Sequence, residues 1–176
     1  MKIATTPMCQ EILRLAGVPE FEIINNGVYD CADIAIVLSE TKIPKNSSTK
    51  YIKLKLNTFN QIKESVELIS NILETESLNE NFYFSINQNP ENKMIRIKVH
   101  TDFLKDIAED MGFQIVEKNY DYLTYPDYLK KKLKKEINEV GERAVELPSH
   151  VNAPLNPIER AKIRYKILEK GICMKH

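Results

Sequence analysis

The chain has 176 residues, 43% of them hydrophobic, and 25 lysine and arginine residues balance 25 aspartate and glutamate residues. This length and apolar content predict one domain over residues 1–176. A net charge of zero excludes the overall positive field that draws proteins to nucleic acid or to an anionic membrane surface. No apolar run approaches the roughly 18 residues of a membrane span, and the N-terminus lacks the apolar core of a signal peptide. We therefore expect a cytoplasmic protein with neither nucleic acid nor a membrane as partner.

Cysteine, histidine and glycine are all scarce. Cys9, Cys31 and Cys173 lie too far apart for a C-x-x-C motif, so we expect thiols and no disulfide framework. The three histidines include no pair at i and i+4, so the local sequence predicts no metal site. With five glycines, the chain has neither a dinucleotide fingerprint nor an ATP-binding loop. This argues against a dehydrogenase or methyltransferase, and we expect no intrinsic cofactor.

Residues 1–17 combine a strand, a cysteine and a helix. A short apolar strand beginning at Ile3 leads directly to Cys9, which is followed by a helix. The helix is indicated by apolar residues at helical spacing and a terminating glycine: Ile12, Leu13, Ala16 and Gly17. Cys9 should therefore lie in the first turn of a helix, where the positive end of the dipole favours the nucleophilic thiolate. The alternative is a small buried residue that packs beneath the helix.

The opening nine residues, MKIATTPMC, carry a resemblance to a known family. In a short α/β chain they look like the start of the HcgF family, which belongs to the Hcg proteins that assemble the guanylylpyridinol cofactor of mono-iron hydrogenase in methanogenic archaea. In that family the pyridinol carboxylate is carried as a thioester on a cysteine at this position. The resemblance implies that Cys9 is the acyl-carrying residue, and it is strongest over this N-terminal stretch.

The resemblance implies a cofactor-biosynthesis protein that binds guanylylpyridinol and passes its carboxylate towards the acyl-iron ligand of the hydrogenase cofactor. A carboxylate does not acylate a thiol unaided, so the resemblance implies that an HcgE-like partner, similar to ubiquitin-activating enzymes, adenylylates it with ATP. The alternative is a non-catalytic small-ligand binding or assembly protein in which Cys9 is structural. The acyl acceptor stays open, as does the oligomeric state, for which a homodimer is one alternative.

Polar residues follow the next buried strand. Residues 34–38 form a continuous apolar run, which is typical of a central strand in a parallel sheet. Because ligands collect at the carboxyl ends of parallel strands, we expect the ligand-binding residues on this edge, around Cys9. They are Thr5, Thr6, Met8, Ser39, Glu40 and Thr41.

Strands and helices alternate over the rest of the chain. Residues 51–56 predict a strand, and Thr58 with Gln61 fits a capping box at the start of a helix. Strands are also expected at residues 82–86, 94–99 and 113–116, with a helix capped by Thr101 before the last of them. The pattern favours a single-domain layered α/β fold with a mainly parallel central sheet flanked by helices, and an antiparallel edge near Tyr83 or Met94.

The C-terminal third predicts two more helices and an irregular stretch between them. The first helix starts near Asp127 and continues to Val140; its lysine run is followed by acidic residues, which indicates a solvated face and not a nucleic-acid patch. The second helix starts at Asn156. The irregular residues 147–156 either close over a ligand or only reverse the chain. On the first interpretation, His150 and Asn152 bind the ligand.

Overall fold

The computed structural model describes residues 1–25, 29, 32–78 and 90–173, which form two four-stranded parallel sheets and five α-helices. The chain divides into two compact units, Met1–Tyr83 with Leu155–Ile158 and Phe84–Pro154 with Glu159–His176. We call them the first unit and the second unit. The predicted α/β class is confirmed, and the strands lie in two sheets where one central sheet was expected. That residues 1–176 form one domain stays a prediction.

The first unit has a parallel sheet in the order β2-β1-β3-β4. Its elements are β1 (Ile3–Thr5), α1 (Gln10–Leu15), β2 (Glu22–Ile23), β3 (Ile34–Leu38), β4 (Lys50–Leu54) and α2 (Phe59–Leu73). β3 is a central strand, as its apolar run predicts. The capping box is also present, because Gln61 N–H donates to Thr58 Oγ1 at 3.1 Å and Gln61 Oε1 accepts from Asn57 N–H at 3.0 Å.

The second unit repeats this architecture with a parallel sheet in the order β6-β5-β7-β8. Its elements are β5 (Arg96–Val99), α3 (Asp102–Asp110), β6 (Gln114–Ile115), β7 (Tyr122–Pro126), α4 (Lys134–Val140), β8 (Ala144–Leu147) and, from Glu159 onward, α5 (Pro157–Gly171). α5 begins as predicted, with Asn156 Oδ1 accepting from Ile158 N–H at 2.9 Å.

The two units also share details of backbone pairing. Asp33 Oδ2 accepts from the N–H of Lys2 at 2.6 Å just before β1, and Asp121 Oδ2 accepts from the N–H of Arg96 at 2.9 Å at the start of β5. In each unit the aspartate precedes the next central strand, so β3 and β7 correspond residue by residue. Ser39, directly after β3, therefore corresponds to Asp127, directly after β7.

In the second unit, the helix predicted at residues 127–140 is wrong, and the two strands beside it were not predicted. Residues 127–140 are not one helix, since a 3-10 turn (Asp127–Leu129) and further turns precede the short α4. The strands β7 and β8 on either side of this segment were not predicted. β7 is buried at every residue, as suits the β-propensity of its tyrosines.

The antiparallel edge expected near Met94 is absent from the described residues. Met94 ends a 3-10 helix (Pro90–Met94), and every described strand pair is parallel. The strand predicted at residues 82–86, with Tyr83, lies outside the described residues, and so does Cys31.

Candidate functional site

Cys9 lies between β1 and α1, directly before the helix and not within its first turn as predicted. It is the N-cap residue of α1, and its N–H donates to the carbonyl of Thr6 at 3.0 Å. Its own carbonyl accepts from the N–H groups of Ile12 at 3.1 Å and Leu13 at 3.4 Å. A tight turn thus carries the chain from the carboxyl end of β1 into the helix, with Cys9 at the junction.

The Cys9 side chain is buried, with 0% of the residue exposed. Tyr29, also buried, lies near it: burial raises the pKa of the Tyr29 phenol, and the neighbouring Cys9 and Tyr51 raise it further. The Tyr29 and Tyr51 rings meet edge to face at 5.8 Å. The cysteine therefore lies beside a buried tyrosine that the sequence patterns did not identify, because Tyr29 belongs to no periodic segment of the sequence.

Thr5 and Thr6 lie at the carboxyl end of β1, next to β3. The hydroxyl of Thr5 is buried and donates to the carbonyl of Ile36 at 3.0 Å, so it links the two strands. The backbone N–H of Thr6 donates to the same carbonyl at 3.4 Å. Thr6 Oγ1 is buried and has no hydrogen-bond partner among the described residues, which leaves it available to a bound ligand.

Ser39, Glu40 and Thr41 form the turn that leaves β3. The N–H of Ser39 donates to Leu54 O at 2.9 Å, and the N–H of Thr41 donates to Leu38 O at 3.0 Å. Glu40 is exposed, whereas Ser39, Thr41 and Met8 are half-buried. Because β1 and β3 are parallel neighbours, their carboxyl ends lie on one sheet edge, which places these residues on the edge that carries Cys9.

His150 and Asn152 belong to the second unit and follow β8. Asn152 Nδ2 donates to Asp127 Oδ2 at 2.8 Å, and the N–H of Ser149 donates to the same oxygen at 3.1 Å. Burial acts to raise the pKa of Asp127, but these hydrogen bonds outweigh burial and hold the pKa below its ordinary value. The His150 ring lies 6.0 Å from the Phe103 ring. Asn152 thus orders the carboxylate that corresponds to Ser39 of the first unit.

A second polar cluster, around Glu136, also lies in the second unit. Glu136 Oε1 accepts from Lys98 Nζ at 2.7 Å and from Tyr120 Oη at 2.8 Å, and its Oε2 lies 3.2 Å from His100 Nε2. Burial acts to raise the pKa of Glu136, but the bonds from Lys98 and Tyr120 lower it overall. Burial and the bond to Glu136 raise the pKa of Tyr120 to about 12. His100 and Glu136 are 36 residues apart in the chain, so no local sequence pattern joins them.

Cys173 lies in a different environment from Cys9. Its Sγ lies 3.5 Å from Asn92 Oδ1, and burial, reinforced by the charge of Glu169, raises the pKa of its thiol. Neither Cys9 nor Cys173 forms a disulfide. Within the described ranges, no group of three or more histidine, cysteine or acidic residues is placed to hold a metal ion. None of the helices described there is long and apolar enough to cross a membrane.

Comparison with known proteins shows a likeness of fold to a solved structure. No family model and no curated protein matches the sequence. Among solved structures, the laminin-binding protein Lbp of Streptococcus pyogenes is similar, with a TM-score of 0.52 and 10% sequence identity over 98% of this chain and 99% of that chain. The likeness shows a shared fold. At this identity it carries no information about the ligand or chemistry of either sheet edge.

Proposed function

We propose that the protein is a cofactor-biosynthesis protein that binds guanylylpyridinol and carries its carboxylate as a thioester on Cys9. The observation that carries the proposal is the position of Cys9, at the N-cap of α1 directly after β1. The resemblance of residues 1–9 to the HcgF family supplies the substrate. Thr5, Thr6, Met8, Ser39, Glu40 and Thr41 are proposed to surround the ligand.

The sheet geometry supports this edge as a ligand site. Parallel strands β1 and β3 end side by side, and ligands of open α/β sheets bind outside the carboxyl ends of the strands. The buried hydroxyl of Thr6 has no partner in the described part of the chain, so it can bond a carboxylate or phosphate oxygen. His150 and Asn152 stay separate candidates, since Asn152 is bonded to Asp127 within the second unit.

The proposed chemistry divides between two proteins. The HcgE-like partner converts the carboxylate and ATP to an acyl adenylate and pyrophosphate. Cys9 then attacks the acyl carbon; its C–S bond forms, the bond to AMP breaks, and the thiol proton passes to water. Unpaired N–H groups at the start of α1 favour both the attacking thiolate and the oxyanion that precedes loss of AMP. No ATP site is required in this chain.

The burial of Cys9 favours a second candidate, a non-catalytic protein that binds or assembles the ligand. A side chain with 0% exposure is typical of a structural cysteine. Under the first proposal, the Thr6–Cys9 turn has to open when the activated ligand binds. The two candidates therefore differ in whether a covalent bond forms, and not in whether the ligand binds.

The experiment is to measure the intact mass after incubation with guanylylpyridinol, ATP and the activating partner. The first proposal predicts a gain equal to the ligand less one water, and its removal by hydroxylamine. Cys9→Ser should lose the adduct yet still bind guanylylpyridinol, because an alcohol is a far weaker nucleophile near neutral pH than a thiol with a pKa near 8.5. Cys173→Ser is the matched control and should acylate normally. Reversible binding without any adduct in the wild type would support the second candidate instead.

A further inference from the structure

α5 carries two arginines whose side chains are completely buried. Arg160 and Arg164 lie one helical turn apart, and each is 0% exposed. Taking a guanidinium out of water costs several kcal/mol unless an opposite charge or a full set of hydrogen bonds compensates it. How the buried charge of Arg164 is compensated therefore depends on the contacts of its guanidinium.

The contacts of Arg164 leave two of its three guanidinium nitrogens without a hydrogen-bond partner among the described residues. Nε donates to the carbonyl of Pro148 at 3.1 Å, and Cζ lies 4.3 Å from the centre of the Phe103 ring. Nη1 and Nη2 are buried and have no hydrogen-bond partner among the described residues. Burial lowers the pKa of Arg164 to about 10, and the positive charge of Arg160 adds to the effect, while Asp127 opposes it. The guanidinium stays protonated at neutral pH, with two donors to spare.

The aromatic ring that this guanidinium contacts belongs to a residue at the start of α3. The helix has nine residues, and Phe103 is in its first turn, where backbone N–H groups lack partners within the helix. Its N-cap residue, Thr101, makes no capping bond with its side chain. Thr101 Oγ1 is buried and, within the described ranges, also without a partner. The first turn of α3 and its N-cap therefore combine three features: the contact of Phe103 with the Arg164 guanidinium, a Thr101 hydroxyl without a partner among the described residues, and the positive end of the helix.

We propose that the second unit binds a phosphate group between the Arg164 guanidinium and the first turn of α3. Nη1 and Nη2 of Arg164 are suited to two phosphate oxygens, and the Thr101 hydroxyl and the α3 backbone N–H groups to the others. A tetrahedral phosphate accepts hydrogen bonds from several directions, whereas a carboxylate presents two oxygens in one plane.

The loop after β8 gives this site its cover. The carbonyl of Pro148 accepts from Arg164, and the carbonyl of Pro154 accepts from Arg160 Nη1 at 3.1 Å. Both ends of residues 148–154 are therefore tied to the arginines, while Val151 in the middle is 90% exposed. Phosphate enters when this loop lifts. The site does not involve Cys9, and the inference stands whether or not the thioester forms.

The test is isothermal titration of the full chain with inorganic phosphate, at constant ionic strength held with chloride. Wild-type protein should bind phosphate in a 1:1 ratio and more tightly than acetate. Arg164→Met should weaken phosphate binding by about tenfold or more, the loss expected for a bidentate charge-assisted contact. Arg14→Met is the matched control, because Arg14 is in the first unit with a side chain that is 59% exposed; it should leave the affinity unchanged.

Thr101→Val separates binding from folding. Because the Thr101 hydroxyl has no partner among the described residues, the isosteric change should not lower the melting temperature without phosphate, yet it should weaken phosphate binding severalfold. Failure of the wild type to bind phosphate at millimolar concentration would overturn the proposal. So would equal affinities in the wild type and both site variants, or tighter binding of acetate than of phosphate.

Discussion

Replacement of Gly17 by alanine tests how α1, and with it Cys9, is held in the first unit. Gly17 ends α1 at a φ of +73°, in the left-handed region, and a Cβ there would lie 2.1 Å from the carbonyl oxygen of Glu76. Other bonds fix the same end of the helix: Leu78 N–H donates to Leu15 O at 2.8 Å, and Ser70 Oγ donates to Ala16 O at 3.3 Å. An added methyl group has to displace this backbone.

The cost follows from two terms. A left-handed alanine costs roughly 1–2 kcal/mol, offset by about 0.4–1 kcal/mol because alanine has less freedom than glycine in the unfolded chain. The clash adds to this, since the Glu76 carbonyl has to move by about 1 Å or more to reach an ordinary contact distance. If that movement breaks the two hydrogen bonds, each contributes about 1 kcal/mol. We expect Gly17→Ala to lose about 3 kcal/mol of unfolding free energy, or roughly 6–12 °C in melting temperature.

Gly112→Ala is the matched control for the conformational term. Gly112 ends α3 at a φ of +85°, but its added Cβ would meet only Asn92 Cβ, at 4.0 Å. This variant should therefore lose only about 1 kcal/mol. Urea unfolding followed by far-UV circular dichroism measures both losses. Equal losses in the two variants would refute the close approach of Gly17 to Glu76.

Two further predictions concern a helix cap and a half-buried carboxylate. Thr58→Ala should lose about 1 kcal/mol of stability in urea unfolding, because the Thr58 side chain caps α2. Thr101→Ala should lose less, because the Thr101 side chain makes no capping bond. Equal losses in the two variants would contradict this prediction. Since the folded pKa of Glu136 lies below its ordinary 4.5, its contribution is full above pH 4.5 and is lost as the pH falls through the folded value. Glu136→Gln should therefore be less stable than wild type at pH 7, and the difference in stability should shrink in acid. Glu139→Gln, on the same helix, should change the stability little. A difference between wild type and Glu136→Gln that stays constant from pH 7 to pH 3 would refute the lowered pKa of Glu136.

Local signals in the sequence predicted much of the fold. The helix end at Gly17, the caps at Thr58 and Asn156, and the buried strand at residues 34–38 all depend on neighbouring residues, and all are present. β7 and β8 were missed because their pattern is ambiguous without the partner strands. The segment between them has apolar residues at helical spacing, Leu129, Leu133, Ile137 and Val140, so it satisfied the pattern of one long helix.

The candidate sites could also be predicted from the sequence only in part. The position of Cys9 at a strand-to-helix junction followed from local periodicity. The proximity of Tyr29 to Cys9, the bond from Asn152 to Asp127 and the ring of Phe103 against Arg164 join residues far apart in the chain. A sequence pattern describes one segment at a time, so it cannot show contacts between distant segments. The division of the strands into two sheets could not be predicted for the same reason.

The residue that carries the acyl group is the sharpest test of the proposal that Cys9 forms the thioester. After incubation of the wild-type protein with guanylylpyridinol, ATP and the activating partner, tryptic digestion at mildly acidic pH and tandem mass spectrometry identify the modified residue. If Cys9 carries the acyl group, the acyl mass will lie on the peptide of residues 3–14, in which Cys9 is the only cysteine. An acyl group on Cys31 or Cys173, with the peptide of residues 3–14 unmodified, would contradict it.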